Sequence, residues 1–249
     1  MHNDLAGMLI RFRLPQIAII SDIEKAFLQV GLHKDNRDAT RFLWLKDPSK
    51  PIAESNVQVY RFTRVPFGII ASPYLLGATV DFHLQQNPGP ASEEIRRNIY
   101  VDNVITGASN EEEATKVYKE AKEIFNKASM NLREWRSNSQ LFNSSIPEKD
   151  LAKVCQVKVL GTKWNTETDK ISITWKKQNQ EKVTKRTTLQ QLASVFDPLG
   201  LVCPITIKGK ILQQELWKKK LDWDDVLPKE LQQRWHGILN EIDRLDSIV

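Results

Sequence analysis

The segment SDIEKAFLQVGL (residues 21–32), preceded by the apolar run IAII (17–20), sets the reading of the chain. Four consecutive apolar residues suit a buried strand, and Asp22 stands where that strand ends. From Glu24 the apolar residues Phe27 and Val30 fall at helical spacing. A carboxylate in that position either caps the following helix or is held out for chemistry. A second acid sits in NIYVDNVIT (98–106), where two short apolar runs flank Asp102-Asn103. That pair suits a two-residue hairpin turn, because Asp and Asn both tolerate positive φ. Were the two strands neighbours in one sheet, both carboxylates would emerge on one edge, where they could hold two divalent cations roughly 4 Å apart. Hard oxygen donors suit Mg²⁺ or Mn²⁺.

Outward from these segments, residues 1–14 are amphipathic and read as a helix stopped by Pro15. Strands are expected at 41–45 and 57–62, joined by a Pro/Ser loop. Ser72-Pro73 reads as an N-cap followed by proline in the first turn of a helix running to 86, ended by NPGP (87–90). Residues 110–127 form an amphipathic helix capped by Asn110 and opened by Glu111, Glu112 and Glu113. Strands 157–165 and 170–175 pair around a turn at 166–169. The helices expected at 187–196, 204–220 and 228–245 are separated by DPLG (197–200) and an acidic Trp-containing loop. The organisation is therefore a mixed α/β body over 1–176 and an all-helical tail over 177–249.

Of the 249 residues, 41% are hydrophobic and 27% charged, enough apolar material for a sizeable core. The net charge is +5, distributed unevenly. Residues 176–220 hold ten Lys or Arg against three acids, a net +7, which leaves about −2 for the rest. Lys185, Arg186, Lys208 and Lys210 lie in this stretch, which suits a phosphate-gripping surface or, more plainly, solvated helix faces. Two cysteines and four scattered histidines exclude a disulfide framework and offer no zinc-ligand spacing. No apolar run approaches the length of a membrane span or signal h-region, so an intracellular, soluble protein is expected.

Three segments in this order, SDIEKAFLQVGL (21–32), VPFGIIASPYLL (65–76) and YVDN (100–103), resemble the first three polymerase motifs of reverse transcriptases. LREWRSN (132–138), VLGTKW (159–164) and LASVFDPLGLVCPITIKGKILQQELW (192–217) are similar to the polyprotein polymerases of BEL/Pao-type LTR retrotransposons. The resemblance implies an α+β fold: a palm with a ferredoxin-like antiparallel sheet, partial fingers, and a helical thumb-like or connection-like tail. It implies RNA-directed DNA polymerase activity, with two Mg²⁺ or Mn²⁺ ions moving deoxynucleotides onto a primer 3′-hydroxyl. Asp22 and Asp102 match the metal ligands, with the carbonyl of Ile23 as a further one. Phe27 matches the ring under the incoming sugar, which would exclude a 2′-hydroxyl. Pro66, Phe67, Gly68, Ser72 and Pro73 match the segment facing nucleotide and template. Tyr100, Leu160 and Gly161 match positions near the primer end, although a strand aromatic and a plain hairpin explain them as well. Arg133 or Arg136 could meet the leaving pyrophosphate.

The usual third motif ends in two aspartates, and here Asn103 stands in the second place. An amide oxygen can coordinate but brings no charge to offset two dications. The resemblance further implies that finger strands lie outside these residues, in a larger polyprotein with protease, RNase H and integrase. Its partners would be an RNA or DNA template with primer and deoxynucleoside triphosphates, in a cytoplasmic particle. The alternative is a non-catalytic nucleic-acid-binding remnant of such a polymerase.

Overall fold

A computed structural model describes residues 4–173, 175 and 182–245 of the chain. They divide into two compact units. One comprises Pro15–Ser137 and Leu141–Ala152; the other comprises Leu5–Leu14, Asn138–Gln140 and the chain from Lys153 onward. The boundary expected between residues 176 and 177 lies outside the described residues.

In chain order the elements are α1 (Leu5–Phe12), β1 (Ile17–Ile23), α2 (Ala26–Gln29), β2 (Arg41–Leu45), β3 (Val57–Arg61), α3 (Ser72–Gln86), α4 (Pro90–Arg97), β4 (Ile99–Tyr100), β5 (Asn103–Ala108), α5 (Glu111–Lys127), β6 (Leu132–Ser137), α6 (Gln140–Ser145), β7 (Gln156–Val159), β8 (Thr162–Asn165), β9 (Lys170–Ser172), α7 (Lys185–Ala193), α8 (Cys203–Lys218) and α9 (Lys229–Leu245).

The first unit is built on an antiparallel sheet of order β4-β5-β1-β6. With α3 between β1 and β4, and α5 between β5 and β6, this is the ferredoxin-like split βαβ arrangement. β1 is central, and six of its seven residues are buried, which is why its first four, Ile17 to Ile20, are all apolar. Asp22 is the half-buried exception. Leu76, Val80 and Leu84 recur every fourth residue of α3 and enter the same core as Ile19, Ile23, Phe125, Leu132 and Trp135. α5 is started by Asn110, whose Oδ1 accepts from the Glu113 backbone N–H at 2.9 Å. The Glu113 carboxylate in turn accepts from the Ser109 N–H at 2.8 Å. Such a cap contributes about 1 kcal/mol.

Several sequence expectations shift. Asp22 does not cap a helix: it lies inside β1, and the short α2 begins after Lys25, a left-handed residue (φ 50°) with no side-chain cap. Ser72 is the first residue of α3 rather than its N-cap, which is Ala71; the Ser72 hydroxyl donates to the Pro66 carbonyl at 2.7 Å. The third-motif turn consists of Val101 and Asp102, because Tyr100 pairs with Asn103. The run at 157–165 breaks at Leu160-Gly161 into two strands of a β7-β8-β9 meander. α4 and β6 had no counterpart in the pattern reading.

In the second unit α1 joins this meander. The Phe12 ring meets Trp164 edge-on at 4.8 Å, and the Arg13 guanidinium forks onto Asp169 at 2.6 and 3.0 Å. The Trp164 indole N–H donates to the same carboxylate at 2.9 Å. Leu192, Leu212, Leu216, Leu231 and Trp235 form the core of α7, α8 and α9.

Candidate active site

Strand register brings the two acids together. Asp22 in β1 lies opposite Asn103 in β5, and the Ile23 N–H donates to the Asp102 carbonyl at 2.9 Å. The turn residue Asp102 therefore sits at the end of the central strand, beside Asp22. Asn103 Nδ2 donates to Asp102 Oδ1 at 2.8 Å, so the amide serves that carboxylate as a hydrogen-bond donor.

The electrostatics follow from this packing. Burial, then the Asp102 charge, then Glu134, push the Asp22 carboxyl from its ordinary 3.8 up to about 6. Arg133 opposes the shift and Glu24 adds to it. β6 supplies both neighbours: Arg133 is the register partner of Asp22, and the β1–β6 pairing shifts between Ile20 and Asp22. Glu134, next in sequence, has a left-handed backbone at φ 53°. Sequence reasoning missed Glu134, because an acid in LREWRSN gives no sign that an irregular strand pairing brings it near Asp22. Of the two arginines considered, Arg133 stands at the level of Asp22. Arg136 pairs with Ile20 and donates to the Ala152 carbonyl at 3.4 Å.

A polar chain fixes β6 against β1. The Glu24 N–H donates to the Asn131 carbonyl at 2.9 Å, and Asn131 Nδ2 donates back to the Glu24 carboxylate at 3.0 Å. Lys122 Nζ donates to Asn131 Oδ1 at 2.6 Å and to the Leu132 carbonyl at 3.0 Å, and pairs with the buried Asp150 at 2.9 Å. Arg133 lies 3.5 Å from the Glu24 carboxylate, and its Nε is buried with no hydrogen-bond partner.

The second-motif segment lies beside α2. The Val65 N–H donates to the Val30 carbonyl at 2.9 Å, and Arg64 reaches the Gln29 carbonyl at 2.9 Å. Phe27 is buried and meets Phe67 edge-to-face at 4.9 Å, while Phe67 itself is largely exposed. Phe27 is thus a core ring whose outer neighbour faces solvent. Gly68 has φ 88°, a conformation glycine adopts without strain. Tyr100 is half-buried at the end of β4.

In the other unit, Leu160 and Gly161 form the two-residue turn between β7 and β8. Of the four cations expected on a nucleic-acid surface, Lys185 is instead buried. Its ammonium lies 3.5 Å over the Trp217 ring and 5.0 Å from Trp223, and donates to the Leu221 carbonyl. Arg186 forks onto Asp224 at 2.8 and 3.0 Å, and Lys208 pairs with Glu241 at 2.6 Å. Lys210 is exposed.

A family model described as "Reverse transcriptase (RNA-dependent DNA polymerase)" matches residues 9–164. The chain belongs to the reverse transcriptase family. A second model, "Pao retrotransposon-like RNaseH-like domain", matches residues 184–249 and identifies a reverse transcriptase of the Pao/BEL retrotransposon type. That match covers the helical region read from sequence as thumb-like. Among solved structures, the foamy viral protease-reverse transcriptase in complex with dsDNA superposes with a TM-score of 0.57 at 16% identity. It covers 98% of this chain, which spans 45% of the viral one. The same viral protein in complex with RNA/DNA hybrid gives a TM-score of 0.56 at 15% identity, covering 98% of this chain and 29% of that one. These likenesses carry the reverse-transcriptase fold. No curated protein sequence matches the chain. No helix among the described residues is long and apolar enough to cross a membrane.

Proposed function

We propose that this chain carries the catalytic palm of an RNA-directed DNA polymerase, which adds deoxynucleotides to a primer 3′-hydroxyl on an RNA or DNA template. The observation that carries this reading is the convergence of Asp22 and Asp102 on one end of the central strand. Reverse transcriptases as a family use divalent metals, and the donor set fits such ions. Burial and the neighbouring Asp102 charge raise the cost of ionising Asp22, and a hard dication offsets that cost. Asp22, Asp102 and the Ile23 carbonyl would hold Mg²⁺ or Mn²⁺. Bound there, the cations would acidify the attacking hydroxyl and neutralise charge on the transferred phosphate.

The remaining roles belong to the protein. Arg133, whose partly exposed guanidinium lies 3.5 Å from Glu24, would meet the phosphate charge from the β6 side. Phe27, braced by Phe67, would form the wall beneath the sugar, and Gly68 and the start of α3 at Ser72 would let the backbone approach the nucleotide. Tyr100 and the Leu160-Gly161 turn would lie along the primer. Positioning and charge stabilisation would supply nearly all the catalysis. Residues 1–176 would then serve as palm with partial fingers, and 177–249 as a thumb-like or connection-like region within a longer polyprotein.

A second reading is a remnant that binds nucleic acid without turnover, favoured by the uncharged Asn103 beside Asp102. Primer extension with Mg²⁺ and with Mn²⁺, comparing the chain with Asp22→Ala, separates the two. Extension that disappears in the variant supports the polymerase. Primer–template binding without extension in either protein supports the remnant.

A further inference from the structure

In the first unit a line of alternating charge runs from the buried Asp150 to Arg133. Leu151 bridges Trp135 of β6, and the Trp135 N–H donates to the Asp150 carbonyl at 2.8 Å, so Asp150 is fixed against that strand. Its carboxylate, 4% exposed, accepts from the Tyr118 hydroxyl at 2.7 Å and pairs with Lys122 at 2.9 Å. Lys122 carries only donors, so the atom of Asn131 that meets it at 2.6 Å is the amide oxygen. That leaves Asn131 Nδ2 for the Glu24 carboxylate, which can only accept, at 3.0 Å. The other claim on Glu24 is Arg133, at a looser 3.5 Å. Arg133 stands level with Asp22 in the β1–β6 register, its side chain is partly exposed, and Glu134 is more distant from it at 3.9 Å.

We propose that Lys122 and Asn131 are positioning residues that hold Glu24 aside, so that Arg133 stays available to an anion beside Asp22. A carboxylate and a guanidinium that close into a fork satisfy each other, and an incoming phosphate must then compete with that pair. Here the shorter bond of Glu24 goes to the amide, whose orientation Lys122 dictates and whose anchor is Asp150. Lys122 also donates to the Leu132 carbonyl at 3.0 Å, one residue before Arg133. The backbones of Glu24 and Asn131 are joined separately, by the Glu24 N–H to the Asn131 carbonyl at 2.9 Å, so their side chains are not needed to hold β1 and β6 together. For the identity of the anion, the phosphates of a deoxynucleotide, this rests on the polymerase reading.

The test reads anion binding apart from turnover, by calorimetric titration of inorganic triphosphate with Ca²⁺, beside primer–template affinity and primer extension. Asn131→Leu keeps the size of the side chain and the net charge but cannot donate to Glu24. Triphosphate should then bind about tenfold more weakly, the scale of one charge-assisted hydrogen bond, while primer–template affinity is retained. Adding Glu24→Gln, which removes the acid that turns to Arg133, should restore triphosphate binding. Adding Glu123→Gln, which removes the same charge from the α5 surface, should not. Lys122→Met alone would strand the buried Asp150, so it is made together with Asp150→Asn; the Asn131 amide can then turn its oxygen to Glu24, and binding should fall by a similar factor. Parent-like binding in Asn131→Leu, equal losses of triphosphate and primer–template affinity, or no triphosphate binding by the parent would each overturn the positioning role. If the parent extends no primer but these binding effects hold, the polymerase reading falls and the positioning role stands. If the parent extends primer and Asn131→Leu binds triphosphate as the parent does, the positioning role falls and the polymerase reading stands.

Discussion

The β4–β5 and β7–β8 hairpins both reverse in two residues, and they carry the left-handed backbone of such a turn differently. In β7–β8 the turn residues are Leu160 (φ 49°) and Gly161 (φ 87°), the doubly positive pattern of a type I′ turn. Glycine takes the more extreme angle, and the room left by its missing side chain is occupied by the Phe196 ring. A Cβ on Gly161 would lie 2.8 Å from that ring. In β4–β5 the positive φ falls on Val101 at 56°, a β-branched residue for which this region is costly by roughly 1–2 kcal/mol. The next residue is Asp102. Its carbonyl is held by the Ile23 N–H and its carboxylate by Asn103. Strain persists where surrounding contacts over-determine the backbone, and here it lies beside the candidate chemistry. Leu160 shares the left-handed strain, but the β7–β8 turn is shaped by packing, whereas the β4–β5 turn presents a charge.

The largest expected effect tests the catalytic half of this contrast. Asp22→Ala should cut single-turnover primer extension by about 10²–10³-fold with primer–template affinity retained. A parallel loss of affinity would mean that Asp22 supports the fold rather than the chemistry beside the strained turn. Next, Gly161→Ala should destabilise the chain by about 2–4 kcal/mol in urea unfolding, since the methyl must displace the Phe196 ring in a backbone hostile to L residues. A cost under about 1 kcal/mol would show that the turn yields easily.

The third effect concerns pH in the absence of divalent ions. The Asp22 carboxyl is raised in the folded state, so its contribution to stability is fully present below about pH 4 and is lost as pH rises through about 6. Asp22→Asn should therefore be more stable than the parent at pH 7, by about 1–2 kcal/mol after allowing for solvent screening of a half-exposed group. The gap should close near pH 4, and a gap independent of pH would remove the electrostatic account. Smallest is Asn103→Asp, which replaces a donated hydrogen bond with like-charge repulsion. In EDTA at pH 7 it should lower stability by about 1 kcal/mol, and Mn²⁺ should restore it. No response to Mn²⁺ would argue that Asp102 does not face a metal.

Much of this contrast is legible in the sequence. β1 could be read because a central strand buried on both faces is mostly apolar, as Ile17 to Ile20 are, and Asp22 follows that run. The α5 boundary was legible because Asn110 and three glutamates obey local capping rules. The site's neighbours were not legible. Arg133 and Glu134 reach Asp22 through an irregular register between strands more than a hundred residues apart, which no local pattern encodes. Lys185 failed for a related reason. Its sequence company is basic, while its spatial company is Trp217 and Trp223, brought from another helix and loop. The Val101-Asp102 turn was missed by one residue because propensity favours Asp-Asn, and pairing with β5 overrode it.

The Arg13–Asp169 ion pair has a consequence in time. Its partners lie 156 residues apart, and the Phe12–Trp164 contact spans nearly as far. On a ribosome adding about 5–20 residues per second, α1 would wait roughly ten to thirty seconds for the strands that cover its apolar face. Until then Phe12 lacks its native ring partner, and α1 stays undocked while β1 to β6 are made.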